Sequence, residues 1–302
     1  MSGEDIYYKG DSDYWKAYRE GRPKVPDSYF ERIVEYHAQH GGKFNVWHDM
    51  GAGSAVHTKR LAPKFKTTII SDSGASNVEA ARSYLGENDA YKFRVAKGEE
   101  AADLDPSSVD LVFGANMMHY TDIDETIRAV VHQLKPCGTL ALGGFGLPIV
   151  LDPKLQELWS QVIHRRFEVT FETNRAATGL FIQASSPHDA VPFDTEYSQP
   201  GALRLKFNER DGWTWCRCMV PASLDTAIPH VTRFGKEDVV VHEDNNDWNF
   251  EADITVMCKI LETLPLPPDP VRDELWRKLQ VAFGSRKVPA TWPSSLTLVT
   301  KR

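Results

Sequence analysis

Two carboxylates and two glycines between residues 49 and 72 form a pattern that suits the binding of a ribose-containing ligand. An apolar run enters Asp49, the glycines Gly51 and Gly53 follow, and after a helical stretch a second apolar run ends at Asp72. A glycine turn lets backbone N–H groups approach a ligand, and a carboxylate at the tip of the next strand can bind ribose hydroxyls. The order of strand, glycine turn, helix, strand and acid therefore predicts a ligand site formed by these residues.

Apolar runs alternate with helical patterns along the first half of the chain, which predicts a doubly wound parallel sheet. Strands are expected at residues 44–50, 67–71, 91–96, 109–115 and 139–144. The run from Val109 to Ala115 is almost continuously apolar, as is typical of a strand buried on both faces of a parallel sheet. The predicted fold class is α/β, with a Rossmann-like core.

The residues on either side of this region are expected to form an N-terminal lid and a C-terminal cap. Helical patterns break at Gly21 and resume after Pro26. Beyond Phe145 the alternation stops, residues 173–232 mix short apolar clusters with proline and glycine, and residues 295–301 alternate like an edge strand. We predict three parts: a helical lid over 1–42, a cofactor-binding core over 43–145, and a cap insertion with the final core strands over 146–302.

The composition narrows the classes of function. The 302 residues carry a formal net charge of -7 without a long Lys/Arg run, which argues against a nucleic-acid partner that relies on phosphate neutralisation. No apolar run approaches the ~20 residues of a membrane-spanning helix, and the first residues lack the apolar centre of a signal peptide. A cytoplasmic protein without a membrane partner is therefore expected.

The four cysteines are expected to be reduced and mostly buried. Cys216 and Cys218 are separated by a single residue, whereas a zinc knuckle has a two-residue spacer and a second ligand pair. We predict that the protein has no metal site.

Several segments together resemble the class I S-adenosylmethionine-dependent methyltransferases, and most closely the trans-aconitate methyltransferase-like group that is common in fungi. The resemblance covers residues 14–145 and lies in the following segments: Tyr18…Arg22-Pro23…Pro26, Asp49-Met50-Gly51-Ala52-Gly53-Ser54-Ala55, Asp72 with Ala81-Arg82, Val109–Phe113, Asn116–Asp122 and Leu134–Leu140. It implies S-adenosylmethionine as the cofactor and transfer of a methyl group to a small-molecule acceptor, in keeping with secondary metabolism.

Three residues depart from the family pattern. Ala55 stands where the cofactor loop has its third glycine, Cys137 stands at the first glycine after Lys135-Pro136, and His119-Tyr120 replaces a His-Trp pair. None of these changes removes a charged cofactor contact. They are compatible with methyl transfer and also with a protein that uses the cofactor for another reaction.

The resemblance also assigns cofactor-binding residues. Gly51, Ala52 and Gly53 would let the backbone approach the methionine and ribose portions, with Asp49 positioning the loop or the cofactor amine, or acting as a helix cap. Asp72 would accept hydrogen bonds from both ribose hydroxyls. Four further positions complete the predicted cofactor set: Glu99 near the adenine, Asn116 after the fourth strand, and Tyr18 and Arg22 closing over the cofactor, with Arg22 paired to its carboxylate.

The acceptor is expected to contact His119 and Tyr120, with His119 as the base or orienting group. Packing or capping is the alternative role for this histidine. Tyr14 and Trp15 are predicted to form an aromatic wall for the acceptor near the sulfonium, or else to belong to the core. Three tryptophans are candidate pocket residues with the same alternative: Trp213, Trp215 and Trp248. Of the two histidines that flank the glycine loop, His48 lies in an apolar strand and is interpreted as structural, whereas His57 receives no role.

Methyl transfer is an in-line displacement at an activated carbon, so its catalysis depends mainly on alignment and desolvation. Three rival functions remain open at this stage. The fold could support a non-methylating cyclisation or rearrangement, or a non-catalytic regulator that binds metabolites or a protein through its cap. A dehydrogenase also uses a glycine turn and an acid, but Asp49 directly before the glycines and the incomplete Gly-x-Gly-x-x-Gly pattern count against it.

Overall fold

The protein was analysed as a computed structural model that describes residues 12–193, 196–210, 212–264 and 270–302. The structure does not describe the side chains of Ser12, Pro270, Arg272 and residues 175–177. The polar N-terminal residues 1–11 and most of the proline-rich segment at 265–270 therefore lie outside the described residues.

Eight strands form one sheet, and three shorter strands form a second one. In chain order the strands are β1 (Val46–Met50), β2 (Thr67–Asp72), β3 (Tyr91–Val95), β4 (Val109–Ala115), β5 (Leu134–Phe145), β6 (Ile149–Val150), β7 (Leu203–Phe207), β8 (Val239–Glu243), β9 (Asn249–Ala252), β10 (Val288–Thr291) and β11 (Ser294–Thr300). The large sheet has the order β3-β2-β1-β4-β5-β11-β7-β8, and the small antiparallel sheet has the order β6-β10-β9.

The predicted doubly wound α/β fold is confirmed. Strands β1 to β5 pair in parallel with the order reversing between β1 and β4, which is the switch point where ligands bind in such sheets. β4 is buried along nearly its whole length, as its apolar sequence predicted. The carboxyl ends of β1, β2, β4 and β5 therefore meet along one edge.

Helices cover the large sheet and build the cap. They are α1 (Ser12–Gly21), α2 (Asp27–Gln39), α3 (Thr58–Leu61), α4 (Ala75–Leu85), α5 (Ile123–Gln133), α6 (Pro153–Thr173), α7 (Arg175–Ala184), α8 (Ile254–Glu262) and α9 (Pro270–Phe283). α2 packs Tyr29, Phe30 and Ile33 into the main core, and the Tyr29 hydroxyl donates to the carbonyl of Ser295 at 2.8 Å. α2 is thereby attached to β11 at the middle of the sheet.

The expectation that the last strand lies at an edge is wrong. β11 pairs antiparallel with β5 on one side and with β7 on the other, and all of its residues are buried. Its alternation of polar and apolar residues arises because hydroxyl side chains are accommodated inside the sheet rather than exposed. β7 lies within a stretch that gave no strand signal, and β8 forms the edge on this side of the sheet, opposite the β3 edge.

Asp110, in β4, connects its strand with the starts of β1 and β5. Its buried carboxylate accepts hydrogen bonds from the backbone N–H of Asn45 at 3.2 Å and of Val46 at 2.8 Å, and pairs with the Lys135 ammonium at 2.8 Å. The start of β1 is therefore joined to β4 and to the start of β5 by one side chain.

Replacing Asp110 with alanine should destabilise the protein by about 2–4 kcal/mol, because two backbone N–H groups lose their acceptor in a part-buried position. Chemical denaturation followed by circular dichroism measures this free energy. Asp244→Ala is the matched control, since that carboxylate is 77% exposed and should change stability by no more than about 0.5 kcal/mol. Equal effects in the two variants would contradict the assignment of Asp110 as a connecting residue.

Candidate functional site

A cavity of about 680 Å³ opens at the edge where the parallel strands end. Asp49, Asp72, Asn116 and Phe145 line it from the ends of β1, β2, β4 and β5. α1 contributes a second wall, and the cap contributes a third, which includes Trp215. The cavity thus extends from the glycine loop to the cap.

The glycine loop has a backbone that requires glycine at two positions. Gly51 and Gly53 have φ values of +66° and +55°, a region that costs other residues about 1–2 kcal/mol. A Cβ at Gly51 would lie 2.8 Å from Met117, and one at Gly53 would lie 2.8 Å from the Trp15 ring. The loop therefore presents bare backbone to the cavity, with the Ala52 N–H donating to the Ser71 carbonyl at 2.9 Å.

Two of the residues that depart from the family pattern also have a left-handed backbone conformation. Ala55 has a φ of 60° and Cys137 a φ of 63°. Ala55 is fully buried, so its methyl group takes part in packing where a third glycine would leave space. Both residues adopt the backbone of the glycine they replace, at the energetic cost of a side chain in that region.

Asp72 organises the end of the cavity nearest the glycine loop. Its Oδ2 accepts from the Gly53 N–H, and its Oδ1 accepts from the Gly74 N–H and the Asn77 side-chain amide, each at 2.9 Å. A carboxylate offers about four acceptor positions, so roughly one position on Oδ2 remains for a ligand. Asp72 can therefore accept one ribose hydroxyl directly without losing an existing bond, rather than both.

Asp49 is buried beneath the loop and accepts a 2.6 Å hydrogen bond from the Thr58 hydroxyl. Burial raises the pKa of Asp49 to about 7; the Thr58 bond opposes this rise and the negative charge of Asp72 adds to it. The side chain lines the cavity, so its protonation state responds to any charge bound there.

α1 covers the glycine-loop end of the cavity with aromatic and cationic side chains. The Trp15 indole N–H donates to Asn77 at 3.1 Å, and its ring packs on Gly53. Tyr14 contacts Trp15 and Tyr18 by edge and tilted ring packing, and it is not among the cavity-lining residues. Arg19, which the sequence analysis did not identify, donates to Ser54 at 3.2 Å. The structure thus places Trp15 beside the glycine loop and Tyr14 behind it.

Arg22, His119 and Tyr120 line the cavity where α1 approaches the loop after β4. The Arg22 guanidinium stacks on the Tyr18 ring at 4.8 Å, and His119 packs on Tyr120 at 4.2 Å. Burial and, to a lesser extent, the charge of Arg22 lower the pKa of His119 to about 4. His119 is therefore a neutral imidazole at neutral pH.

Asn116 and Glu99 also line the cavity, but both already make internal hydrogen bonds. The Asn116 side chain donates to the Phe145 carbonyl at 3.2 Å and accepts from the Phe145 N–H at 2.9 Å. Glu99 Oε1 accepts from the Asp122 N–H at 2.8 Å. Asn116 thus joins the ends of β4 and β5, while Glu99 Oε2 has no hydrogen-bond partner among the residues that the structure describes.

The half of the cavity nearest the cap is mainly apolar. Phe30, Phe145, Leu147 and Met219 line it together with Trp215, whose ring packs flat against Gly144. Of the other candidate pocket tryptophans, Trp213 and Trp248 belong to the main core. His57 also lines this half of the cavity. The sequence did not identify it as a cavity residue, because the side chains that surround it in the fold come from separate segments of the chain.

The two cysteines of the Cys216-Arg217-Cys218 segment are buried free thiols. All four cysteines are free; Cys216 and Cys218 are buried at the cavity wall, and burial raises the pKa of each thiol to about 12. Cys137 and Cys258 are only partly buried. Among the described residues no group of three His, Cys, Asp or Glu side chains is arranged to hold a metal ion.

His48 has a structural role, as interpreted from its apolar strand. Its two ring nitrogens bond Gln133 at 2.6 Å and Ser71 at 2.7 Å, and burial lowers its pKa to about 4. No helix in the described ranges is long and apolar enough to cross a membrane.

Comparison with known proteins agrees with this geometry. The family described as methyltransferase domain matches residues 48–142, which include the glycine loop, Asp72 and β4. Methyltransferase gedG of Aspergillus terreus is 33% identical over 100% of this chain and 95% of its own length. Methyltransferase tpcM of Aspergillus fumigatus is 31% identical over 100% of this chain and 96% of its own, and a methyltransferase of Claviceps purpurea is 31% identical over 96% and 92%.

A solved structure named as a type II methyltransferase from Anaeromyxobacter dehalogenans shares the fold. It is 19% identical, covers 92% of this chain and 97% of its own, and superposes with a TM-score of 0.53. Full-length identity above 30% with the curated relatives establishes the family: the chain belongs to the methyltransferases.

Gly53→Ala should destabilise the protein more than Gly284→Ala. Both positions have a φ of +55°, but a Cβ at Gly284 would meet only the Val281 carbonyl oxygen at 4.0 Å, whereas one at Gly53 meets the Trp15 ring at 2.8 Å. Gly284→Ala should cost about 1–2 kcal/mol from backbone strain alone. Thermal and chemical unfolding of the two variants would measure the difference.

Trp15→Phe tests the origin of that difference, because phenylalanine lacks the outer ring atoms that approach Gly53. In the Trp15→Phe background the additional cost of Gly53→Ala should fall by about 1 kcal/mol, while the cost of Gly284→Ala should not change. Strict additivity of Gly53→Ala and Trp15→Phe would show that α1 does not pack on the loop as described.

Proposed function

We propose that this methyltransferase uses S-adenosylmethionine to methylate a small-molecule acceptor, a role in secondary metabolism. The observation that carries the proposal is the continuity of the cavity, which joins the Gly51–Gly53 loop and Asp72 to the apolar cap wall at Trp215. A methyl donor bound at one end would face an acceptor bound at the other. The full-length similarity to named fungal methyltransferases supports the same reaction class.

The residues at the cofactor end fit S-adenosylmethionine. The loop at Gly51 and Gly53 brings backbone without side chains to the cavity wall, and Asp72 keeps an acceptor position for a ribose hydroxyl. Glu99 Oε2 would accept from the adenine, and Arg22 would pair with the carboxylate of the amino-acid portion. Trp15 would contribute through the loop on which it packs rather than as an acceptor wall.

The bound cofactor supplies a methyl group already activated by the positive sulfur. The protein then needs to align the two reactants and exclude water, which accounts for most of the attainable rate enhancement. The aromatic side chains of the cap half exclude water, and α1 lies over the opposite end. His119 and Tyr120 face the space between the two ends and would orient the acceptor.

Isothermal calorimetry with S-adenosylmethionine and S-adenosylhomocysteine tests this proposal. Wild-type protein should bind both compounds, and Asp72→Asn should weaken each by at least about tenfold, since a hydrogen bond to a charged group contributes about 1.5–3 kcal/mol. Asp244→Asn, on the exposed surface, should bind like wild type. Failure of the wild-type protein to bind either compound would reject the proposal.

Affinity for S-adenosylmethionine should decrease as the pH falls below about 7. Burial raises the pKa of Asp49 to about 7, so acidification neutralises a carboxylate that favours the cationic ligand. The cavity histidines His57 and His119 have pKa values lowered to about 4, so they stay neutral over this range. Between about pH 8 and about pH 5.5 the dissociation constant should rise about tenfold.

Asp49→Asn provides the control, because the amide can still accept the Thr58 hydrogen bond but carries no charge. Its affinity should be nearly independent of pH over the same interval. A variant that keeps the full pH dependence of wild type would assign the titration to another group.

A further inference from the structure

Met117 contacts three glycines that belong to separate segments of the chain. It follows β4, lines the cavity and is 6% exposed. A Cβ on Gly51 would lie 2.8 Å from the Cβ of Met117, and one on Gly98 would lie 3.0 Å from its Cε. A Cβ on Gly114 would lie 3.2 Å from both its Cγ and its Sδ. The thioether side chain therefore packs on bare backbone after β1, after β3 and at the end of β4.

Two of these glycines are not required by a left-handed backbone. Gly51 has a φ of +66°, which favours glycine by itself, whereas Gly98 and Gly114 have no positive φ. At both of these positions the atom nearest to an added Cβ belongs to Met117. Lack of a side chain at Gly98 and Gly114 thus leaves room for Met117.

The backbone on both sides of Met117 is held by hydrogen bonds. Asn116 has a φ of +50°, its N–H donates to the Gly143 carbonyl at 2.9 Å, and its side chain bonds both backbone groups of Phe145. The Met117 carbonyl accepts from the Tyr120 N–H at 2.9 Å. The Met117 side chain therefore starts from a fixed point at the end of the sheet.

The two loops that Met117 contacts would hold different portions of the cofactor. Gly51 belongs to the loop proposed for the amino-acid and ribose portions, and Gly98 precedes Glu99, which is proposed for the adenine. β2 lies between β1 and β3 in the sheet, so strand pairing does not join the loops that follow β1 and β3 directly. Met117 contacts both loops and connects them across the cavity floor.

We propose that Met117 is a positioning residue for the cofactor, because its side chain fixes the separation of the Gly51 and Gly98 loops. This inference rests on the proposed function and adds a residue to the same site. A loop that is already held in its bound position costs less to order when the ligand binds. Methionine suits this role, since an unbranched side chain with three rotatable bonds can fill an irregular gap between segments.

Met117→Leu and Met118→Leu form a matched pair of variants. Leucine conserves the volume of methionine approximately but lacks the terminal methyl group that reaches Gly98. Met118 is the adjacent residue, is fully buried and is not among the cavity-lining residues. Calorimetry should show that Met117→Leu binds S-adenosylhomocysteine about five- to tenfold more weakly than wild type. Met118→Leu should bind within about twofold of wild type.

Gly98→Ala perturbs the same contact from the opposite side. Its methyl group would press on Met117 Cε and should weaken S-adenosylhomocysteine binding about threefold, whereas Gly179→Ala, at an exposed position with no heavy atom within 4 Å of the new Cβ, should bind like wild type. In the Met117→Leu background, Gly98→Ala should weaken binding less than it does in wild type, because the atom that it meets has been removed.

Thermal unfolding verifies that each variant is folded, so that the dissociation constants describe native protein. A role in stability alone would lower the melting temperature and leave the dissociation constant of folded Met117→Leu unchanged, which would overturn the inference. Equal losses of affinity in Met117→Leu and Met118→Leu would also overturn it, as would losses that simply multiply in the Gly98→Ala, Met117→Leu double variant. These results differ from failure of the proposed function, in which wild type itself does not bind S-adenosylhomocysteine.

Discussion

The candidate site depends on the hydrogen bonds that converge on the Asp72 carboxylate. This one side chain holds the Gly53 N–H of the glycine loop, the Gly74 N–H before α4 and the Asn77 amide, and Asn77 in turn accepts from Trp15 on α1. The loop, the end of β2, α4 and α1 are thus oriented by a single charge. These bonds fix the glycine loop, α4 and α1 relative to one another, which limits the arrangements that this end of the cavity can adopt.

Charge is distributed unequally along the cavity. Asp49, Asp72 and Glu99 line the end formed by the parallel strands, and Arg19 and Arg22 line the cavity from α1 and the residue after it, whereas aromatic and aliphatic side chains dominate the end under the cap. A donor with positive and negative groups would therefore meet side chains of both signs, and an acceptor would contact a surface of low polarity. Low polarity strengthens the electrostatic interactions of the reacting groups and excludes water that could compete for them.

The strands and helices of the first half of the chain could be predicted from sequence, because each of them buries the apolar residues of its own short segment. Val109–Ala115 shows this for β4, which is buried as predicted. β11 was misplaced because its alternating Ser and Thr residues resemble an exposed face, whereas they are buried between β5 and β7. Side-chain roles were harder to predict than strands: the amide of Asn116 is occupied by Phe145, and His57 is recognised only when Phe30 and Phe145 are brought beside it. The individual binding roles remain predictions.

The central position of β11 has a consequence for how the molecule folds. The strand completes the middle of the sheet, and the bond from Tyr29 to Ser295 joins residues 266 positions apart. Contacts of such sequence separation form slowly, because a long loop must close before they contribute stability. During that interval the free side of β5 exposes unpaired N–H and C=O groups, to which another chain can pair. The step that closes the sheet is thus also the step at which folding and aggregation compete.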